Sequence, residues 1–101
     1  MMKPFIIHPG EFLSDELEAR WRTQSTFAKI IWKTRQEVNH LVSWRRPINA
    51  ERALKISAAL GTDPQFWLNL QNEYDIQSLK SQNNSTQLFQ IRQRAKELAF
   101  A

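Results

Sequence analysis

The sequence predicts an all-α fold of five or six helices, on three observations. Apolar residues recur at helical spacing in one segment after another, as in Phe66, Trp67, Leu70 and Tyr74. Side chains that cap helix N-termini stand just ahead of several such segments: Thr23, Thr34, Asn49 and Asp63. Only two Gly and four Pro occur in 101 residues, too few for the many turns of a β-sandwich or barrel. A chain of this length is one domain's worth, and its 42% hydrophobic content builds a core without disulfides or metal.

Taken in order, Met1–Pro9 has no period and two Pro, and is expected to be an extended arm. His8-Pro9-Gly10 leads into a helix expected from Glu11 to Arg20, with Phe12, Leu13 and Leu17 inward. Its acids come early and its Arg late, as the helix dipole prefers. Thr23 caps a helix from Gln24 to Ile31, burying Phe27, Ala28 and Ile31. Thr34 caps another, reaching about Ser43, with Val38, Leu41 and Val42 inward. Asn49 opens Ala50–Leu60, and Gly61 ends it as a left-handed cap. Asp63, with Pro64 in the first position, opens a helix whose stripe is mainly core packing. Residues 81–86 are polar and turn-prone, a linker to a last helix from about Gln87 to Phe100.

Several classes of function drop out. With no Cys there is no disulfide framework, no Cys-based zinc site and no Cys nucleophile. No apolar run approaches the ~20 residues that cross a bilayer, and the first seven residues lack a signal peptide's apolar stretch, so a cytoplasmic protein without membrane contact is expected. His8 and His40 sit on different elements with no carboxylate spaced to share a metal. Nothing resembles a nucleophile elbow or a Gly-rich phosphate loop, so neither enzyme activity nor a cofactor is expected.

The charge is concentrated. Between Gln24 and Arg46 lie Lys29, Lys33, Arg35, Arg45 and Arg46 against Glu37 alone, which carries the whole net charge of +4. A basic patch on an otherwise balanced domain is the footprint expected for a phosphate backbone, though a solvated helix face has the same composition. The order of elements favours the first. Two helices of about two turns, joined by three or four residues, form a helix-turn-helix, whose second helix enters the major groove. On that helix Arg35, Gln36, Asn39 and His40 face outward, each able to donate or accept at base edges. Gln24, Lys33, Ser43, Arg45 and Arg46 flank them as phosphate contacts, Gln24 because it opens the first helix of the pair. The chain divides into this domain with its arm, residues 1–78, and a polar linker with an amphipathic helix, residues 79–101.

The sequence also resembles the HigA-type (VapI-like) antitoxins of the Xre/Cro/repressor superfamily. The resemblance rests on His8-Pro9-Gly10-Glu11, Ala28-Lys29, Ile48-Asn49-Ala50, Ala53-Leu54 and the run from Gly61 to Gln71, and extends from about Ile7 to Ile76. It implies a homodimer that binds operator DNA, represses its own operon and neutralises a HigB toxin, an mRNase of the RelE kind. A stand-alone Xre-type repressor, or an interaction module that has lost DNA binding, is compatible with the same residues.

Two departures from that family carry their own expectations. Trp32 and Trp44 stand where the family has Gly, in the turn and just after the second helix. A bulky residue at positive φ is an outlier, so the turn is expected to be rebuilt around Trp32, packed against Ile31 and Val38. Trp21, Trp32 and Trp44 fit a core role, stacking on sugar–phosphate, or a dimer contact. The last helix, amphipathic and basic, fits docking on its own domain, a second protomer or a toxin.

Overall fold

The computed structural model describes residues 7–20, 22–82 and 85–99. Six helices follow in order: α1 (Pro9–Ala19), α2 (Gln24–Ile30), α3 (Arg35–Val42), α4 (Ala50–Leu60), α5 (Pro64–Ser81) and α6 (Ser85–Ala99). No strand occurs among the described residues. α2 packs on α3, α4 on α5, and α1 lies against both α3 and α5.

The predicted caps form as read. Thr23, Thr34 and Asn49 each accept from the backbone N–H three residues on, and Asp63 accepts from Gln65. α1 differs from expectation by starting two residues earlier. His8 is its N-cap, with Nδ1 accepting from Gly10 N–H at 2.9 Å, and Pro9 takes the first helical position, where its missing donor costs nothing. Only Ile7 and His8 of the expected arm are described outside the helix; residues 1–6 lie beyond the described set, as does Trp21. The expected linker over 81–86 is also shorter. Ser81 ends α5, its hydroxyl donating to the Ser78 carbonyl, and Ser85 and Thr86 already belong to α6.

The core gathers Leu13 and Leu17 of α1, Phe27 and Ala28 of α2, Val38 and Leu41 of α3, Ala53, Ile56 and Leu60 of α4, and Trp67 of α5. Trp67 is wholly buried. Phe12 and Phe66 pack edge-on against its indole, whose Nε1–H donates to Thr62 Oγ1 at 2.8 Å. Gly10 lets α1 touch α3: a Cβ there would run into the Leu41 carbonyl oxygen. α6 contributes nothing to this core, and its side chains from Ser85 to Leu98 are all exposed.

α2, α3 and α4 all end on a residue in the left-handed region: Trp32 at φ 59°, Trp44 at φ 69° and Gly61 at φ 75°. After α2, Lys33 N–H bonds to the Ala28 carbonyl and Trp32 N–H to that of Lys29. After α3, Arg45 N–H bonds to the His40 carbonyl and Trp44 N–H to that of Leu41. Both are Schellman caps, with indoles in place of glycine. The expected rebuilding around Trp32 is therefore overturned. The turn keeps the glycine-type backbone, and the indole, 86% exposed, points to solvent rather than packing on Ile31 and Val38. Trp44 is different. Its ring stacks on buried His8 at 4.8 Å, and Tyr74 of α5 meets both rings edge-on.

Candidate nucleic-acid interface

α2 and α3 set the geometry. Phe27, Ala28, Val38 and Leu41 bury one face of the pair, which turns the opposite face of α3 outward. Arg35, Gln36, Asn39 and His40 fall at i, i+1, i+4 and i+5, and thus share that face. Arg35 and Gln36 are exposed and Asn39 and His40 half-buried. Arg35, Gln36 and His40 make no side-chain hydrogen bond or ion pair among the described residues, so their polar groups stay open to a ligand. Asn39 is oriented from beside: its Nδ2 donates to Gln24 Oε1 at 3.2 Å, tying the first residue of α2 to the middle of α3.

The flanking residues divide into two groups. Arg45 and Arg46 are exposed and make no ion pair among the described residues, on the loop that follows the Schellman cap of α3. Ser43 is exposed beside them, its hydroxyl donating to the Asn39 carbonyl at 2.7 Å. Lys33 stands apart. Its side chain is only 15% exposed, and its Nζ sits 2.8 Å from Glu51 Oε1 and 3.7 Å from Glu37 Oε2. The other Glu51 oxygen holds Lys55 at 2.9 Å. Hydrogen bonds from Lys33, then Lys55, hold the Glu51 carboxyl down to about 2.

Gln71 is a contributor that the sequence reading missed. It is buried, its Oε1 accepting from Ile48 N–H at 2.8 Å and its Nε2 donating to Asp75 at 2.9 Å. Arg52 binds the neighbouring Pro47 carbonyl at 3.0 Å. Together they pin the loop that carries Arg45 and Arg46. The available signal was a polar residue four positions after Trp67, on the same helix face. His8 acts similarly from the other side through Trp44, and burial pushes its imidazole below the usual value while Asp75 partly opposes this. No group of His, Asp and Glu among the described residues is arranged to hold a metal, and no described helix is long and apolar enough to cross a membrane.

A short helix pair with an open polar face on its second member and two exposed Arg beyond it defines a helix-turn-helix regulator. The helix-turn-helix family model matches residues 15–67, and the chain belongs to that family, one of DNA-binding repressors and antitoxins rather than enzymes. Within it, the chain is 34% identical over 80 residues to virulence-associated protein I of Dichelobacter nodosus, covering 78% of this chain and 74% of that one. It is 37% identical over 68 residues to antitoxin HigA-1 of Vibrio cholerae, covering 66% of this chain and 64% of the relative. Among solved structures, the Pseudomonas aeruginosa antitoxin HigA with the higBA promoter matches at a TM-score of 0.77 and 33% identity, over 83% of this chain and 91% of that one.

Proposed function

We propose that this protein is the antitoxin of a two-component toxin–antitoxin operon. It acts in the cytoplasm, binding operator DNA as a homodimer, repressing its own operon and neutralising a HigB/RelE-like mRNase toxin. The observation that carries the reading is the unpaired face of α3, Arg35, Gln36 and His40 beside a buttressed Asn39, on a backbone shared with an antitoxin whose solved structure includes its promoter. Arg35 reads guanine, and Gln36 and Asn39 read adenine, through paired hydrogen bonds, with His40 alongside. Gln24, Ser43, Arg45 and Arg46 bind phosphates, while Lys33 at the same edge is paired with Glu51. The alternative of an interaction module without DNA binding would be favoured by a turn that Trp32 and Trp44 had spoiled. Their retention of the glycine-type caps removes that support.

A dimer follows from the site's small reach, because one such helix spans too few base pairs for useful specificity. Two half-sites sit about 34–36 Å apart, or at multiples of that. The end of α5 and all of α6 offer the surface for a second copy. Ile76, Leu88, Phe89, Ile91 and Leu98 are each between 41% and 65% exposed. On α6, Leu88, Ile91 and Leu98 share one face, whereas Phe89 lies on the opposite side from Leu98. An isolated helix of α6's length is also marginal in water, so a partner would stabilise it.

The test is a gel shift with DNA from upstream of the protein's own gene, run beside light scattering. A dimer that retards an inverted-repeat fragment ahead of random DNA is expected. Failure to bind that fragment, or a strict monomer at tens of micromolar with and without DNA, contradicts the reading. A neighbouring reading frame for a small basic RelE-like protein separates the antitoxin from a stand-alone repressor.

A further inference from the structure

We propose that Glu51, in the first turn of α4, sets how tightly this protein holds DNA by keeping Lys33 off the phosphate backbone. The inference rests on the DNA-binding reading above and concerns which cations that reading leaves available.

Lys33 immediately precedes Thr34, the cap of α3, and lies two residues from Arg35. It is thus at the N-terminal end of the recognition helix, the end that approaches base edges and their flanking phosphates in this motif. By position it is a phosphate contact; by geometry it is already occupied. Its ammonium donates to Glu51 Oε1 at 2.8 Å, and its stem is largely covered, whereas Arg45 and Arg46 are exposed and have no ion pair among the described residues. Glu37 also pairs with Lys33, but at 3.7 Å, beyond hydrogen-bond distance, so Glu51 is the nearer of its two carboxylates and the one that accepts its hydrogen bond. Carboxylate and phosphate oxygens compete for the same ammonium.

The consequence appears in salt dependence. Each phosphate neutralised by a cation releases condensed counterion and contributes about −0.9 to the slope of log K against log salt. A Lys33 held by Glu51 contributes nothing to that slope. A freed Lys33 adds one phosphate contact per half-site. At 0.1 M salt, a slope change of that size corresponds to tighter binding on the order of fivefold to tenfold per half-site. Glu51 is exposed, and glutamine keeps its length and one acceptor, so the Glu51→Gln protein is expected to fold as the parent does.

The experiment measures operator affinity by fluorescence anisotropy from 50 to 300 mM KCl for the parent, E51Q, K33Q, and the K33Q/E51Q double variant, with thermal melts alongside. E51Q is expected to bind more tightly, with a slope steeper by about 0.9 per half-site. K33Q, which removes no phosphate contact, should keep the parent's slope, and the double variant should keep it too. A gain in E51Q that survives in the K33Q background identifies a general charge effect and overturns the proposal, as does an unchanged slope in E51Q. A parent that binds no operator DNA overturns the functional reading itself. A parent that binds, with E51Q its equal, overturns only the role of Glu51.

Discussion

Trp32 and Trp44 occupy equivalent places after consecutive helices, at φ 59° and 69°, yet their replacement by glycine should have different outcomes. Each substitution relieves the left-handed strain of a side-chain-bearing residue, about 1–2 kcal/mol. Each also adds the greater unfolded-state freedom of glycine, which takes back about 0.4–1 kcal/mol. Both contributions are common to the pair, so the difference between the variants is the packing each indole gives up. Trp32 is 86% exposed and Trp44 is 49% exposed, stacked on His8 with Tyr74 at the edge. For a side chain of roughly 250 Å2 that difference is about 90 Å2, or about 2 kcal/mol at ~25 cal/mol per Å2. Trp32→Gly should therefore stay within about 1 kcal/mol of the parent. Trp44→Gly should be the less stable variant, melting about 10 °C below Trp32→Gly for a domain of this size. Differential scanning calorimetry of the three proteins reads this directly. Equal midpoints, or Trp32→Gly as the weaker variant, would refute the argument that one indole is strained surface and the other structural.

Three further substitutions probe the supports of the site. Gly10→Ala drives a Cβ into the Leu41 carbonyl oxygen, a backbone atom that cannot swing aside; a loss of about 1–3 kcal/mol in urea denaturation is expected. Gln71→Leu leaves the buried Ile48 N–H without its acceptor and should cost about 1–3 kcal/mol, with faster hydrogen exchange at Ile48. His8 titrates below its ordinary value of 6.5 because burial disfavours its charged form, so the unfolded chain takes up protons first as the pH falls. Stability should be full above about pH 7 and decline below about 6.5, by at most ~1.4 kcal/mol per pH unit. Denaturant midpoints at pH 7.5 and 5.5 should converge in His8→Gln, and an equal drop in that variant would contradict the assignment.

Much of the fold was legible because local signals and burial agreed. Thr23, Thr34, Asn49 and Asp63 cap as read, and Gly61 closes α4 in the left-handed conformation. The start of α1 was misplaced because histidine is an unusual cap. Its Nδ1 does what a Ser or Asp oxygen would, and only the fold shows which way the ring turns. Trp32 was misread because a sequence reveals a residue's bulk but not whether neighbours cover it. Here the hydrogen bonds of the Schellman cap fix the backbone, and the indole takes the position they leave. The outward face of α3 followed from its period, whereas the pairing of Lys33 with Glu51 spans eighteen residues and two helices. Gln71 was hidden for the same reason, since its partner Ile48 is twenty-three residues away.

The most direct measurement of the central claim compares Arg35→Ala with Arg46→Ala on the upstream operator and on random DNA of equal length, by anisotropy at fixed salt. If α3 reads bases, Arg35→Ala should lose about 1–3 kcal/mol on the operator and little on random DNA. Arg46→Ala should weaken both alike and flatten the salt dependence by about one unit. Equal losses on operator and random DNA for Arg35→Ala would contradict the assignment of α3 as the recognition helix.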